Sequence, residues 1–176
     1  MYERIIIAGS GGQGVLTLGK VLTRAAMLRD LYCTYFPSYG TEVRGGTANC
    51  QVVIGDQEIY SPLVEEADTL FAMNEPSYER FRPRLKPDGL LVINTSMAEP
   101  RSGDGNTVAV PATEMANELG DVRVANVVML GAYNRRRQIV PDDLLFAEVS
   151  HAFGGLTGRL LELNQAAFAK GAQYAG

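Results

Sequence analysis

Gly9-Ser10-Gly11-Gly12-Gln13-Gly14 is the stretch whose residue types and spacing point most directly to chemistry. It fits G-x-G-x-x-G, a pattern in which bare backbone amides at a helix N-terminus can meet a phosphate or a second backbone at contact distance. A second candidate is the loop from Pro37 to Gly46, which carries Tyr39, Glu42 and Arg44 among Gly40, Gly45 and Gly46. A loop that small and that charged is hard to account for by packing. Its plain structural reading is a Glu42–Arg44 pair pinning the start of a hairpin, and its functional reading is a ligand or subunit contact. Asn74 and Asn94 end two successive predicted strands, so with Ser10 and Tyr39 they could line one crevice at the carboxyl ends of a sheet. Singly, each asparagine reads as a cap or turn former.

The motif needs a strand before it and a helix after it, and the flanking sequence supplies both. Arg4 to Ala8 is an apolar run led by three isoleucines, β-branched and suited to a buried parallel strand. From Val15 the period changes: Leu18, Val21, Leu22, Ala25 and Leu28 share one helical face. A dinucleotide site also wants a carboxylate at the end of the second strand to bind ribose hydroxyls. That strand, Tyr32 to Phe36, ends in Thr34, Tyr35 and Phe36 before Pro37, and the nearest acids are Asp30 and Glu42. The expectation is therefore a turn serving another ligand or a subunit contact rather than a nicotinamide fingerprint.

Other candidates carry less. His151 is the only histidine and reads as a helix C-terminal residue, where a cation is favoured. Arg135-Arg136-Arg137 could hold a phosphate, but reads better as a solvated complement to the negative end of the helix before it. Glu65-Glu66 and Asp142-Asp143 are adjacent in sequence and so do not share a helix face, which makes them poor acid/base pairs. Cys33 and Cys50 lie in predicted strands outside C-x-x-C spacing. They cannot alone ligate an iron–sulfur cluster or a structural zinc, and are expected to be reduced thiols.

The elements that must position these residues follow in order. A β-hairpin is expected from Asn49–Ile54 through Gly55-Asp56 to Gln57–Tyr60, then a helical turn opened by Ser61-Pro62. Strands are expected at Thr69–Met73, Leu90–Asn94 and Thr107–Val110. Helices are expected from Glu75 to about Leu85 and over Thr113–Leu119, with a turn at Lys86–Gly89 and a mobile loop over Thr95–Asn106. The last third reads as helices at Val124–Asn134, Pro141–Ala152 and Leu156–Ala172, the first apolar on nearly every side. Strand alternating with helix gives an α/β, Rossmann-like single domain over residues 1–176, with a mostly parallel sheet, an antiparallel hairpin and a helical C-terminal third.

Composition narrows the function classes. A 176-residue chain with 46% hydrophobic residues can bury one core without disulfides or metals, and disorder is excluded. A net charge of −4 argues against a nucleic-acid partner. No apolar run approaches the ~20 residues of a membrane span, and no secretory leader pattern precedes the first strand, so a cytoplasmic protein without membrane contact is expected.

Together, Gly9–Gly14, Pro37–Gly46, Thr47–Ile54, Ile59-Tyr60-Ser61-Pro62 and Ala72-Met73-Asn74-Glu75-Pro76 resemble the gamma subunit of the 2-oxoacid:ferredoxin oxidoreductases, most nearly the separate gamma chain of the 2-oxoglutarate enzyme. Ala112-Thr113-Glu114 and Arg123–Tyr133 extend the resemblance. It implies a subunit of an enzyme that oxidatively decarboxylates a 2-oxoacid, passes electrons to ferredoxin and forms an acyl-coenzyme A. It further implies thiamine diphosphate, magnesium and iron–sulfur clusters in partner alpha and beta subunits, with a ferredoxin-like delta subunit in some enzymes. For this chain it implies coenzyme A contacts from Gly9, Ser10, Gly11, Gly12, Gln13, Gly14, Tyr39, Glu42, Arg44, Gly45, Gly46 and Asn74, and no catalytic residue or metal ligand of its own. Pyruvate or branched-chain and aromatic 2-oxoacid members of the family are alternatives. So are a free-standing nucleotide-dependent oxidoreductase and a purely structural interaction subunit. The chain departs from the family pattern after Tyr133, where Arg135-Arg136-Arg137-Gln138 replaces a glycine-containing turn.

Overall fold

In a computed structural model of the chain, residues 1–39 and 47–175 are described, with only the backbone of Tyr39. One six-stranded sheet runs in the order β2-β3-β1-β4-β5-β6. The strands are β1 (Tyr2–Ser10), β2 (Tyr32–Tyr39), β3 (Thr47–Gly55), β4 (Ala67–Ala72), β5 (Leu85–Asn94) and β6 (Asn106–Val110). β1, β4, β5 and β6 are mutually parallel. β3 is antiparallel to both of its neighbours, β1 and β2.

Sheet register sorts the side chains into two cores. Ile5 and Ile7 of β1, with Cys50, Val52 and Ile54 of β3, face α1 (Val15–Met27), α3 (Ala112–Leu119), α4 (Ala125–Arg137), α5 (Asp142–Ala152) and α6 (Gly158–Tyr174). Ile6, Ala8 and Val53 face the other way, toward α2 (Glu75–Phe81) and the irregular segment that ends at Val64. The helical face read from Val15, Leu18, Val21, Leu22 and Ala25 is the buried face of α1, but Leu28, expected on it, caps the end of the helix and is 60% exposed. That helix lies close on the sheet at Gly19, where a Cβ would stand 2.5 Å from the Cys50 sulfur and 2.8 Å from the Tyr35 ring.

Every residue from Ala125 to Asn134 is buried, so α4 is the central helix of its layer. It lies between the sheet and α6, and the two helices touch backbone to backbone. A Cβ on Gly131 would stand 2.1 Å from the Phe168 carbonyl oxygen, and one on Gly171 1.9 Å from that of Val128.

Five expectations are corrected. The antiparallel pairings are β2–β3 and β1–β3, with no hairpin returning through Gln57–Tyr60; β3 is flanked on both sides, which leaves no free edge for that segment. Ser61-Pro62 opens no helix, and the Ser61 hydroxyl accepts the Leu63 amide at 3.2 Å in a local turn. Lys86–Gly89 belongs to β5, where a register shift between Ala67 and Thr69 absorbs the irregularity and Lys86 binds Asp68. The three arginines are the last turn of α4, and Arg137 is not solvated. Its guanidinium donates to Thr69 Oγ1 at 3.2 Å and to the Asp68 carbonyl at 2.6 Å, and pairs with Glu3 at 3.1 Å. Burial raises the Glu3 carboxyl, against the opposing pull of Thr69 and Arg137. Gln138 takes the left-handed cap conformation, φ 51°, that a glycine would adopt without strain.

The Thr95–Asn106 loop is tied down rather than loose. Asp104 accepts from the Tyr78 hydroxyl, from Arg82 Nε at 2.8 Å and from the Arg101 amide at 2.8 Å.

Both cysteines are free. Burial pushes the Cys33 thiol up to about 11 and the Cys50 thiol up to about 12. Each is therefore protonated at neutral pH, and a thiol-specific reagent should modify the native chain at least ~100-fold more slowly than an unfolded one, where both react. Fast native labelling of Cys50 would mean that α1 does not stay packed on β3.

Candidate functional site

The sheet has a topological switch point. α1 leaves the carboxyl end of β1 toward one face and α2 leaves that of β4 toward the other, so a crevice opens between the two strand ends. The glycine turn follows β1 and Asn74 follows β4. Ser10 pairs with Thr47 and Tyr39 with Ala48, which brings both ends of the 40–46 loop to the same side of the sheet as the glycine turn.

The turn closes on itself. The Gln13 amide donates to the Ser10 carbonyl at 3.2 Å, and the Gln13 side chain folds back so that its Oε1 accepts the Ser10 amide at 2.7 Å. Asn74 Nδ2 donates to Ser10 Oγ at 2.7 Å and Gln13 Oε1 at 3.1 Å, while its Oδ1 caps α2 by accepting the Ser77 amide at 3.0 Å. Asn74 is therefore a cap and a cross-strand staple at once. The glycines divide by role. Gly9 has no room for a side chain, since a Cβ would meet Gln13 Oε1 at 2.7 Å and Val15 at 2.8 Å. Gly14 has φ 74°, and the Asn126 amide occupies the place that its side chain would take, 2.1 Å from where a Cβ would stand. Gly11 and Gly12 have nothing within 4 Å, Gly12 at φ 92°, so they present bare backbone. The first turn of α1 carries no acid and Gly14 gives it no side-chain cap, which leaves its positive end open to an anion.

A cavity of about 300 Å³ begins at this turn, lined by Gly12, Gln13, Met73, Met97, Thr113, Val122, Arg123 and Ala125. Arg123 stands at its rim, exposed, and grips Asp121 at 2.6 Å. That contact holds the Asp121 carboxyl down at about 2. Asn126, behind the turn, is 2% exposed and its Oδ1 has no partner among the described residues, an unmet buried acceptor beside the crevice. Asn94 does not reach the crevice. It is fully buried and locks β5 to α3: Nδ2 donates to the Met73 carbonyl at 3.3 Å and Thr113 Oγ1 at 2.9 Å, and Oδ1 accepts the amides of Ser96, Ala112 and Thr113 at 3.1 to 3.3 Å.

The structure thus gathers Ser10, Gly11, Gly12, Gln13 and Asn74 at one place, with Gly9 and Gly14 as spacing residues. Glu42, Arg44, Gly45 and Gly46 lie outside the described residues, as does the side chain of Tyr39. Sequence reasoning missed Met97, Thr113, Arg123 and Asn126 as neighbours of the turn. Three of them fall in stretches already singled out, Ala112-Thr113-Glu114 and Arg123–Tyr133, but as carriers of the resemblance rather than as crevice walls. Among the described residues no three His, Cys, Asp or Glu side chains converge on a metal position, and the two cysteines cannot hold a cluster. No described helix is long and apolar enough to cross a membrane.

The chain has relatives of known kind. It is 35% identical over 173 residues to the ketoisovalerate oxidoreductase subunit VorA of Methanothermobacter thermautotrophicus, covering 98% of this chain and 36% of that one. It is 31% identical over 182 residues to the 2-oxoglutarate synthase subunit KorC of Methanocaldococcus jannaschii, covering 99% and 95%. The chain thus spans about a third of the VorA subunit and nearly all of KorC. Among solved structures, the gamma subunit of a keto/oxoacid ferredoxin oxidoreductase from Geobacter sulfurreducens matches with a TM-score of 0.83 and 28% identity, over 98% of both chains. The 2-oxoglutarate:ferredoxin oxidoreductase of Magnetococcus marinus, solved with 2-oxoglutarate, coenzyme A and succinyl-CoA, matches with a TM-score of 0.89 and 27% identity, over 99% of this chain and 31% of that one. Residues 4–174 match the family described as pyruvate ferredoxin/flavodoxin oxidoreductase, and with the switch-point crevice and the glycine turn in place, the chain belongs to that family.

Proposed function

We propose that this chain is the gamma subunit of a multisubunit, cytoplasmic 2-oxoacid:ferredoxin oxidoreductase, converting 2-oxoglutarate, coenzyme A and oxidised ferredoxin to succinyl-CoA, CO2 and reduced ferredoxin. Its own part is to guide coenzyme A toward a reaction centre held by partner subunits. Thiamine diphosphate, magnesium and iron–sulfur clusters belong to those partners in this reading, because the described residues of this chain offer neither a cluster ligand set nor a metal position. The observation that carries the proposal is the crevice at the ends of β1 and β4, lined by the open backbone of Gly12, next to the equally open Gly11, and rimmed by Arg123. A diphosphate suits that chemistry: bare amides and an uncapped helix start for the anion, and a guanidinium at the mouth.

The assembled enzyme provides the test. Gly11→Val places a side chain in space that is open in the structure, and Arg44→Ala removes the positive charge of the 40–46 loop. Each should raise the KM for coenzyme A by about tenfold, ~1.4 kcal/mol, while the KM for the 2-oxoacid stays put. Unchanged coenzyme A kinetics in both variants would refute the role given to this face. Acyl-CoA product analysis over a panel of 2-oxoacids identifies the substrate, with succinyl-CoA expected.

A further inference from the structure

The break between the last two helices opens onto a second cavity, which the Gly9–Gly14 turn does not line. α5 ends at Ala152 and α6 begins at Gly158, and the link between them carries Gly154 and Gly155 at φ 81° and 83°. Phe153 and Leu156 of that link, with Leu160 and Leu163 of α6, wall a cavity of about 200 Å³. One buried polar side chain lies among these apolar walls. Asn164 lines the cavity, is 5% exposed, and donates from Nδ2 to the Leu160 carbonyl at 2.9 Å in its own helix. Its Oδ1 accepts no hydrogen bond among the described residues. A free acceptor set among apolar walls selects a flat ring that carries an N–H donor, and Phe153 supplies an aromatic face for such a ring.

The mouth of the cavity suits an anion. Arg123 lines both this cavity and the crevice. Asp121, the one carboxylate in the lining, is taken up by Arg123, which donates Nε to Oδ1 at 2.9 Å and Nη2 to Oδ2 at 2.6 Å. Nη1 of Arg123 has no partner among the described residues and is left for a ligand. α6 adds its positive end, since Leu160 belongs to its first turn. Thr157 caps that turn without a side-chain hydrogen bond, and the turn carries Arg159 and no acid.

We propose that this cavity binds the adenine ring of an adenosine phosphate. The exocyclic amine donates to Asn164 Oδ1, and a phosphate is held by Arg123 and the first turn of α6. Guanine does not fit, because it carries a carbonyl where adenine carries that amine, and the carbonyl would face the Asn164 acceptor. The cavity is smaller than the roughly 300–1,000 Å³ that enclose a whole small ligand, so it takes the ring and leaves the phosphates outside. Two sources present that end: coenzyme A, its adenosine reaching past Arg123 from the crevice, and a free adenine nucleotide acting as an effector. The first rests on the reading of the chain as a gamma subunit, and the second does not.

Photolabelling of the assembled enzyme with 8-azidoadenosine diphosphate tests the site. The label should fall on this chain within residues 153–164, and ADP should displace it at concentrations at least tenfold lower than GDP. Labelling should drop at least tenfold in Leu160→Glu and in Asn164→Leu. Leu160 is 50% exposed, so Leu160→Glu sets a negative charge at the mouth without disturbing the core, and wild-type-like circular dichroism and melting confirm its fold. Coenzyme A separates the two sources: displacement of the label assigns the cavity to its adenosine end, and a label that persists under saturating coenzyme A assigns it to a free nucleotide. No label within residues 153–164, or equal labelling of folded Leu160→Glu, would overturn the adenosine site and leave the crevice to be judged by Gly11→Val and Arg44→Ala. Unchanged coenzyme A kinetics in those two variants, with the label still in the cavity, would refute the crevice and leave the adenosine site standing.

Discussion

Gly171→Ala and Gly131→Ala should each lower the melting temperature of the free chain by about 5–10 °C, the equivalent of roughly 2–3 kcal/mol for a domain of this size. In an exposed helix the same change is worth up to ~1 kcal/mol in the stabilising direction. Here the sign reverses because the added methyl has nowhere to go. The obstacle at each site is a main-chain carbonyl, Val128 at 1.9 Å and Phe168 at 2.1 Å, not the end of a flexible side chain. The helices must separate along their crossing, and separation opens space above Val128 and Ala132, which are buried at 0% exposure. Because both glycines lie in one contact, the double variant should lose less than the sum of the two. Gly11→Ala is the control: its position is open, and its melting temperature should match the wild type. Thermal unfolding decides the matter, and a drop below about 1 °C at both sites would show that α4 and α6 do not touch as described.

Asn94→Ala should cost about 3–4 kcal/mol, because one side chain satisfies five buried or half-buried groups. Its removal leaves the Met73 carbonyl and the Thr113 hydroxyl without this donor, and the amides of Ser96, Ala112 and Thr113 without this acceptor. Asn94→Asp separates the two halves of the network. It keeps an acceptor for the three amides but turns a carboxylate toward the Met73 carbonyl, so it should remain destabilised. Chemical denaturation gives the loss, and hydrogen exchange locates it: protection should fall first at Ser96, Ala112 and Thr113. Since Thr113 also lines the crevice, a folded Asn94 variant is expected to show weakened coenzyme A kinetics in the assembled enzyme as well. Wild-type stability for Asn94→Ala would mean that water replaces the side chain at little cost.

The helical layer is held by the first of these contacts, and the strand ends are shaped into a site by the second. Both depend on residues whose sequence neighbourhoods were informative but whose partners were not. Asn94 was legible as the end of a strand, whereas the glycines of α4 and α6 gave no local sign of the close approach they allow. Asn74 was legible as a cap, which it is, but its second bond, across to Ser10 and Gln13, joins two segments some sixty residues apart and leaves no local trace.

The sequence by itself determined the local elements wherever period and punctuation agree: the isoleucine strand, the amphipathic α1, the strand–turn–helix context of Gly9–Gly14, and the apolar α4. It also carried the resemblance to the family, in the glycine turn and the charged glycine loop in that order, and the family match over residues 4–174 agrees with it. Only the tertiary structure decided which strands pair. The alternation of β3 serves equally well for a hairpin and for a strand flanked on both sides, and register depends on contacts with β1 and β2 that lie far off in the chain. The tertiary structure also decided that Gly9 and Gly14 are there for spacing while Gly11 and Gly12 are open, and that Arg137 turns inward to Glu3. Each of these is settled by distance to an atom elsewhere in the chain, and such distances exist only once the core has closed.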